Sequence, residues 1–439
     1  MTKQIEQALN KHILPYTTLL GILLALGINT GCQQVSVSAG TKKLKVVEVT
    51  VVDPNGTGYG TFQSHNQKIV SNANGIFITY LHYFDKETDE QKNIWHLARS
   101  TDRGKTFETI YEGVHPTRAP AIETDAQNNI YLSHSSYNSP GDYFYFYRFL
   151  ASKDYKEPLI STFFNQPCAA KFAMTYDEKR QQFYIATQFG KVLTVGTDGV
   201  LRQSKQLLTK SSKACPQYPH LKMDAEGNLH HGWTTALLDK YGYRSIHHML
   251  SADGAKSWEN LDGTQINFPC YADETGQAKM INLPDELEVN TWLSSMLPKD
   301  GKVHFRYDAD AKIPKMHYMR YDIATGQREI DSWKDFPDNQ WRGDKIILHR
   351  GNGFFAADSD VSGSTLYAIA QDSDDYIACL ASDDNGDTWY DFARSKEKYN
   401  AYAMGGCGEI TDDGLIIGSF TDSNTKAVSF LKIQTATGR

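Results

Sequence analysis

Apolar residues along this chain fall in short runs that break off at polar turns. Ile76-Phe77-Ile78-Thr79-Tyr80 follows Asn74-Gly75, and Ile130-Tyr131-Leu132 follows Asn128-Asn129. The same grammar returns at Phe183-Tyr184-Ile185-Ala186, around Glu226-Gly227 and Asp300-Gly301, at Thr365-Leu366-Tyr367-Ala368 and around Asp412-Asp413-Gly414. Short runs rich in β-branched and aromatic residues, bounded by Asn, Asp and Gly, predict strands joined by hairpins. Beyond the N-terminal segment no stretch keeps a helical period over a useful length. Units open near His65, Arg118, Cys168, Tyr218, Asn290, His349 and Ala401, which gives seven units of roughly fifty residues, or six if the diverged third is not one. The segment from Asn260 to Leu287 breaks the rhythm and is read as a cap or an insertion.

Three of the predicted hairpins share one pattern. Ser382-Asp383-Asp384-Asn385-Gly386-Asp387-Thr388-Trp389 is the fullest copy, Ser100 to Phe107 carries Phe in place of Trp, and Ser251 to Trp258 has Ala255 at the Gly position. Asp, Ser and Thr can bond the turn's own amides, Gly accepts the left-handed backbone, and the aromatic residue covers the apolar side. These turns resemble the Asp-box (BNR) repeats of sialidase-like β-propellers. The resemblance implies an all-β, seven-bladed β-propeller over residues 44–436, with six blades as the alternative, and turns that brace blades without doing chemistry. Leu44 to Val52 (LKVVEVTVV) then reads as the strand that closes the ring against the last blade.

The chain has 439 residues, a net charge of −7 and 12% aromatics, with 25 Tyr and 20 Phe. The charge argues against nucleic acid as a partner, and an anionic ligand would need a local basic site. Lys3 and Lys11 precede an apolar run from Ile13 to Ile28 and then Asn29-Thr30-Gly31-Cys32. Residues 1–31 read as a signal peptide. Gly31-Cys32 resembles a bacterial lipoprotein cleavage site, although Asn29 departs from its usual aliphatic residue, so Cys32 is the expected lipidation site and 32–43 a linker. The expectation is a monomeric outer-membrane lipoprotein, periplasmic or at the cell surface, held to the membrane by its lipid alone. The other cysteines, Cys168, Cys215, Cys270, Cys379 and Cys407, are widely spaced and odd in number, so at least one is a free or metal-bound thiol.

In propellers, ligands usually bind at one mouth of the central funnel, where the innermost strands begin. Polar residues are dense at such positions here: Ser64-His65-Asn66 and His82, then Arg118, His134, Tyr137 and Arg148, Lys171, then His220, His230, His231, Arg244, His247 and His248, then Arg306, His349 and Arg350. His, Tyr and Arg together suit proton transfer beside a carboxylate. Two carboxylates flanking a glycosidic bond are harder to place, because Asp and Glu concentrate in turns. Sialidases carry an R-I-P motif before the first Asp box; Arg118-Ala119-Pro120 matches it loosely and lies after that box, so a sialidase is not expected.

A second resemblance is closer. Arg244-Ser245-Ile246-His247-His248-Met249-Leu250-Ser251-Ala252-Asp253 with Lys256-Ser257-Trp258, and Tyr218-Pro219-His220 before Asp224, resemble the BNR-4 family, which includes ulvan lyases and related rhamnose–glucuronate-active enzymes. Such lyases use a His/Tyr pair and an Arg that neutralises the uronate. The resemblance implies catalytic roles for His65, His82, His134 and Tyr137, with Tyr131 and Tyr243 competing for the tyrosine. It implies substrate binding by Asn66, Arg118, Arg148, His220 and Arg244, with His65 near His82, Arg148 and His220. The reaction needs no metal, so no metal ligand is assigned and no cofactor is required; a structural ion held with Cys215 or Cys270 stays open. The expected partner is an anionic polysaccharide or oligosaccharide. The expected activity is β-elimination by a polysaccharide lyase, with a hydrolase on a rhamnose–glucuronate linkage or a non-catalytic glycan-binding lipoprotein as alternatives.

Overall fold

The computed structural model describes residues 43–83, 93–138, 141–164, 166, 170–287, 289–310, 315–335, 340–358 and 361–435. The signal segment, Cys32 and Cys168 lie outside the described residues. The chain divides into Met1–Lys43 and Leu44–Arg439, and every described sheet belongs to the second unit.

The strands group in chain order into antiparallel sheets. Ile69–Asn72, Gly75–Tyr83, Ile94–Ser100 and Glu108–Val114 make the first. Ala121–Thr124, Ile130–Asn138, Gly141–Phe149 and Leu159–Phe164 make the second, and Phe172–Asp177, Gln182–Thr187, Lys191–Gly196 and Leu201–Gln206 the third. The fourth has Ala214–Met223, Leu229–Leu237 and Tyr243–Ser251; the fifth has Thr291–Lys299, Lys302–Ala309, Lys315–Asp322 and Arg328–Asp331. Leu348–Ala356, Leu366–Asp372, Tyr376–Ser382 and Tyr390–Lys398 form the sixth, and Ala401–Gly406, Leu415–Asp422 and Val428–Gln434 the last. The first strand of each sheet packs beside the first strand of the next, and Ile69–Asn72 meets the last sheet along Leu415–Asp422, so the sheets follow one another around a ring.

Burial explains the sequence pattern. Middle strands such as Gly75–Tyr83 and Leu366–Asp372 are covered on both faces and read as nearly continuous apolar runs. Outermost strands such as Leu201–Gln206 are mostly polar and open to solvent. The core is divided among the clefts between neighbouring sheets. Phe77, Trp95 and Leu97 of the first sheet pack on Ile122, Leu132 and Tyr147 of the second. Tyr318 and Trp341 meet Phe355, Leu380 and Trp389 across the fifth and sixth. Each such aromatic side chain, fully covered, contributes on the order of 2 kcal/mol.

Lys45–Asp53 closes the ring. It runs antiparallel to Val428–Gln434 and completes the last sheet, and its first residues also pair, parallel, with Ala393 to Ser395 of the sixth. The segment between Trp258 and Thr291 takes the place of a fourth strand in the fourth sheet. Glu259 bridges to Leu250, Met280 bridges to His247, and the Trp233 indole donates to the Ala272 carbonyl at 2.8 Å.

Candidate active site

Successive strands alternate in direction, so the start of each first strand and the end of each third strand lie at opposite ends of a sheet. The three Ser-x-Asp turns follow third strands. In each, the Ser hydroxyl donates to the Asp and accepts from the amide four residues on: Gly104 to Ser100 at 2.8 Å, Ala255 to Ser251 at 2.9 Å, Gly386 to Ser382 at 2.7 Å. The Asp carboxylates also accept from Thr106, Ser257 and Thr388. Ala255 holds φ +67°, the same left-handed region as Gly104 and Gly386.

The other end carries the mouth. Several inner strands break register there: Ala214–Met223 between Gln217 and His220, Leu348–Ala356 between Leu348 and Gly353, Ala401–Gly406 between Tyr402 and Gly405. Bulges of this kind re-aim side chains. Tyr218 adopts φ +45° inside the first of them and Ala403 φ +51° inside the last. The Tyr218 ring meets the His65 imidazole edge-on, centroids 5.3 Å apart, and His220 lies 5.6 Å from His65 on another side. The Lys171 ammonium sits 4.1 Å from the centre of the Tyr218 ring and donates to the Gln217 side chain. The Tyr218 and Tyr243 hydroxyls share a hydrogen bond of 2.8 Å. The Arg118 guanidinium lies 5.4 Å from the Phe62 ring, which stacks on Tyr402 at 5.8 Å. Ser64 donates to Asn352 at 2.6 Å.

Electrostatics set the protonation states. Burial, then the nearby His220, Lys68 and Lys171, hold His65 well below the usual imidazole range, so it is neutral at pH 7. Burial, then Arg118, brings Lys171 down to about 8. Burial raises the Tyr218 phenol. Buried polar atoms without a hydrogen-bond partner among the described residues occur beside this mouth, at Nε2 of His65, both amide atoms of Gln63 and Oδ1 of Asn66, and also elsewhere, as at the indoles of Trp95, Trp258, Trp341 and Trp389. Folded proteins pair nearly all such atoms, so those at the mouth can take a partner from water or a ligand.

The structure brings together His65, Asn66, His220 and Arg118 from the expected set and places His82, His134, Arg148 and Arg244 elsewhere. His220 turns Nε2 to the Leu293 carbonyl at 3.3 Å, and burial lowers it to about 3, so it packs against His65 as a neutral ring. Asn66 donates to the Phe172 carbonyl at 2.8 Å and ties the first sheet to the third. His82 bonds Asp53 at 2.6 Å and stacks on His96, away from His65's contacts. His134 is sealed between the first two sheets against Tyr147 and Trp95, and burial lowers it to about 4. Tyr137 belongs to Ile130–Asn138, but its side chain lies outside the described residues. Arg148 pairs across from Tyr131, next to the Asn128-Asn129 turn, and lies beside Gly199 and Asp198 at the end opposite Arg118. Arg244 grips the Glu274 carboxylate through Nε at 3.0 Å and through Nη2, so its fork is filled by the segment after Trp258. Tyr218, Tyr402 and Gln63 were not assigned from sequence as site residues, and Lys171 was counted among the polar residues of the mouth without a role. The one signal for Tyr218 is its place before Pro219 in the motif that supplied His220.

Below the mouth, toward the turn end, a cavity of about 540 Å³ is lined by Gln67, Glu123, Lys222 and Glu409 among others. The surrounding sheets push Glu123 up to about 8 by burial, against Lys222 and a hydrogen bond from Gln67.

No protein-family model and no curated protein matches this chain. Among solved structures, an ulvan lyase described as representing a new polysaccharide lyase family is similar over 87% of this chain and 94% of its own, with a TM-score of 0.58 and 11% identity. A second structure of such an enzyme, bound to -[GlcA(1-4)Rha3S]-, gives the same coverage and TM-score at 10% identity. An α-L-arabinanase from Penicillium chrysogenum reaches a TM-score of only 0.45 at 11% identity, over 88% of this chain and 98% of its own. The shared feature is the fold, sheets that follow one another around a ring as in a β-propeller.

Proposed function

We propose that this chain is an exported polysaccharide lyase that cleaves a uronate-containing, ulvan-like glycan by β-elimination at the mouth around His65. The ring of sheets is read as a seven-bladed propeller whose third-strand turns are Asp boxes. The observation that carries the reading is a buried imidazole with an unpartnered Nε2, set against the Tyr218 ring that the Lys171 ammonium covers.

A 4-linked uronate places a weakly acidic proton at C5. Lys171 and Arg118 would hold the carboxylate and stabilise the negative charge that develops as this proton leaves. Nε2 of His65 accepts the proton from C5. The C5 electron pair forms the C4=C5 double bond as the C4–O4 bond breaks. The leaving O4 takes a proton from Tyr218, whose raised pKa keeps its hydroxyl protonated, and the proton taken up by His65 passes back to Tyr218 through solvent and resets both groups. Atoms and charges balance without an added co-reactant.

The experiment is incubation with ulvan and other uronate polymers while following the ultraviolet absorbance of the unsaturated product. A rise is expected. A folded protein that gives none with any uronate polymer overturns the reading. Products heavier by one water would assign a hydrolase, and binding with no product a glycan-binding protein. Export with a lipid on Cys32 is part of the proposal: Cys32→Ser should move the protein from membranes to the soluble fraction.

A further inference from the structure

His82 has a different use. Asp53 ends the closing strand Lys45–Asp53, His82 lies near the end of Gly75–Tyr83 and His96 near the start of Ile94–Ser100. One ligand atom from each falls within 4.8 Å of the other two. The imidazoles stand nearly parallel, centroids 4.4 Å apart, and Nδ1 of His82 is 2.6 Å from Oδ2 of Asp53. Glu112 brings a second carboxylate to 3.3 Å from Nε2 of His96. The far nitrogen of that ring, Nδ1, is 3.2 Å from the Tyr80 hydroxyl, the outer contact that orients a ligating histidine.

We propose that Asp53, His82 and His96, completed by Glu112, hold a divalent transition-metal ion of the Zn²⁺ class. Two imidazoles with one or two carboxylates suit such an ion better than Ca²⁺ or Mg²⁺, which prefer all-oxygen shells. Metal–ligand bonds of about 2.0–2.2 Å need the Asp53–His82 pair to open by less than about 1 Å. Glu112 is largely exposed and can turn inward without disturbing the core. The ion would reinforce the joint between the ring-closing strand and the first sheet, where Val52 already packs beside Ile78, Tyr80 and Ala98. The proposal is independent of the chemistry at His65.

The test uses full-length protein without a His tag, stripped with a chelator and titrated with Zn²⁺ by calorimetry, with Co²⁺ as a spectroscopic probe. Wild type should bind one ion per chain, Co²⁺ should show the visible bands of a four-coordinate nitrogen/oxygen site, and Zn²⁺ should raise Tm by about 2 °C or more. His82→Gln and Asp53→Asn, checked for folding by circular dichroism, should each weaken Zn²⁺ binding by about tenfold or more and lose the Tm rise. His82 is partly exposed, so its variant should fold. Absence of stoichiometric binding by folded wild type, or undiminished binding in both variants, overturns the proposal.

Discussion

The Ser-x-Asp turns and the mouth occupy opposite ends of the same sheets and are built in opposite ways. Each turn closes on itself: Asp384 accepts from Thr388 and Ser382, all within six residues. The mouth is assembled across the whole chain. Ser64 meets Asn352, Phe62 meets Tyr402, and His65 meets Tyr218. The turns satisfy their key carboxylates and hydroxyls and leave over amide and indole atoms of Asn385, Trp258 and Trp389, whereas at the mouth His65, Gln63 and Asn66 keep buried atoms without a partner among the described residues. A bond fully satisfied within the chain stabilises; a group left unsatisfied is free to act on something else. The comparison therefore divides the residues into those whose loss should cost stability and those whose loss should cost activity.

The largest effect should come from His65→Gln. Turnover on a uronate polymer should fall by about 10² or more, the usual scale for a positioned base, with Tm nearly unchanged. A drop in Tm with normal turnover would erase the contrast between the two ends. Gly386→Ala should do the reverse. Gly386 has φ +96°, and an added methyl would run into the Tyr318 hydroxyl, so the variant should lose about 2 kcal/mol or more in denaturant unfolding at unchanged turnover per folded molecule.

Lys171→Met should lower kcat/KM by about tenfold through weaker carboxylate binding, the loss of one charge-assisted contact. The same side chain fixes the alkaline limb of the pH profile. Its ammonium titrates at about 8. Below that pH the charge is present, and above it the charge is lost, so kcat/KM should fall as pH rises through about 8. Lys171→Arg stays charged and should carry the plateau to higher pH.

Asp384→Ala should have the smallest effect, about 1 kcal/mol of stability and no change in turnover. Burial opposes ionisation of Asp384, but hydrogen bonds from Thr388 and Ser382 outweigh it and hold the carboxyl below its ordinary value. This contribution is present above the unfolded-state value and is lost as pH falls through the lower folded value. The stability gap between wild type and Asp384→Ala should therefore narrow in acid, read by denaturant titration at a series of pH values.

The sequence by itself determined the all-β class, the position of each sheet, the closing strand and the three turns. These rest on contacts between near neighbours or on short apolar runs bounded by polar turns, both printed in residue order. It also put His65 and Arg118 near the openings of their units, and they lie a few residues before the strands that begin at Ile69 and Ala121. The fates of the other polar residues were decided only by tertiary structure. His134 and His82 are as polar in sequence as His65, yet one is sealed between sheets and the other faces Asp53. Arg244 has the charge for a substrate, but a carboxylate 30 residues away fills it first. Arg148 sits on a strand that runs away from the mouth. Tyr218 reaches His65 because a bulge turns it there, and Lys171 joins it from a different sheet. Which side chains converge depends on how distant strands pack around the ring, and residue type or local spacing carries no trace of that packing.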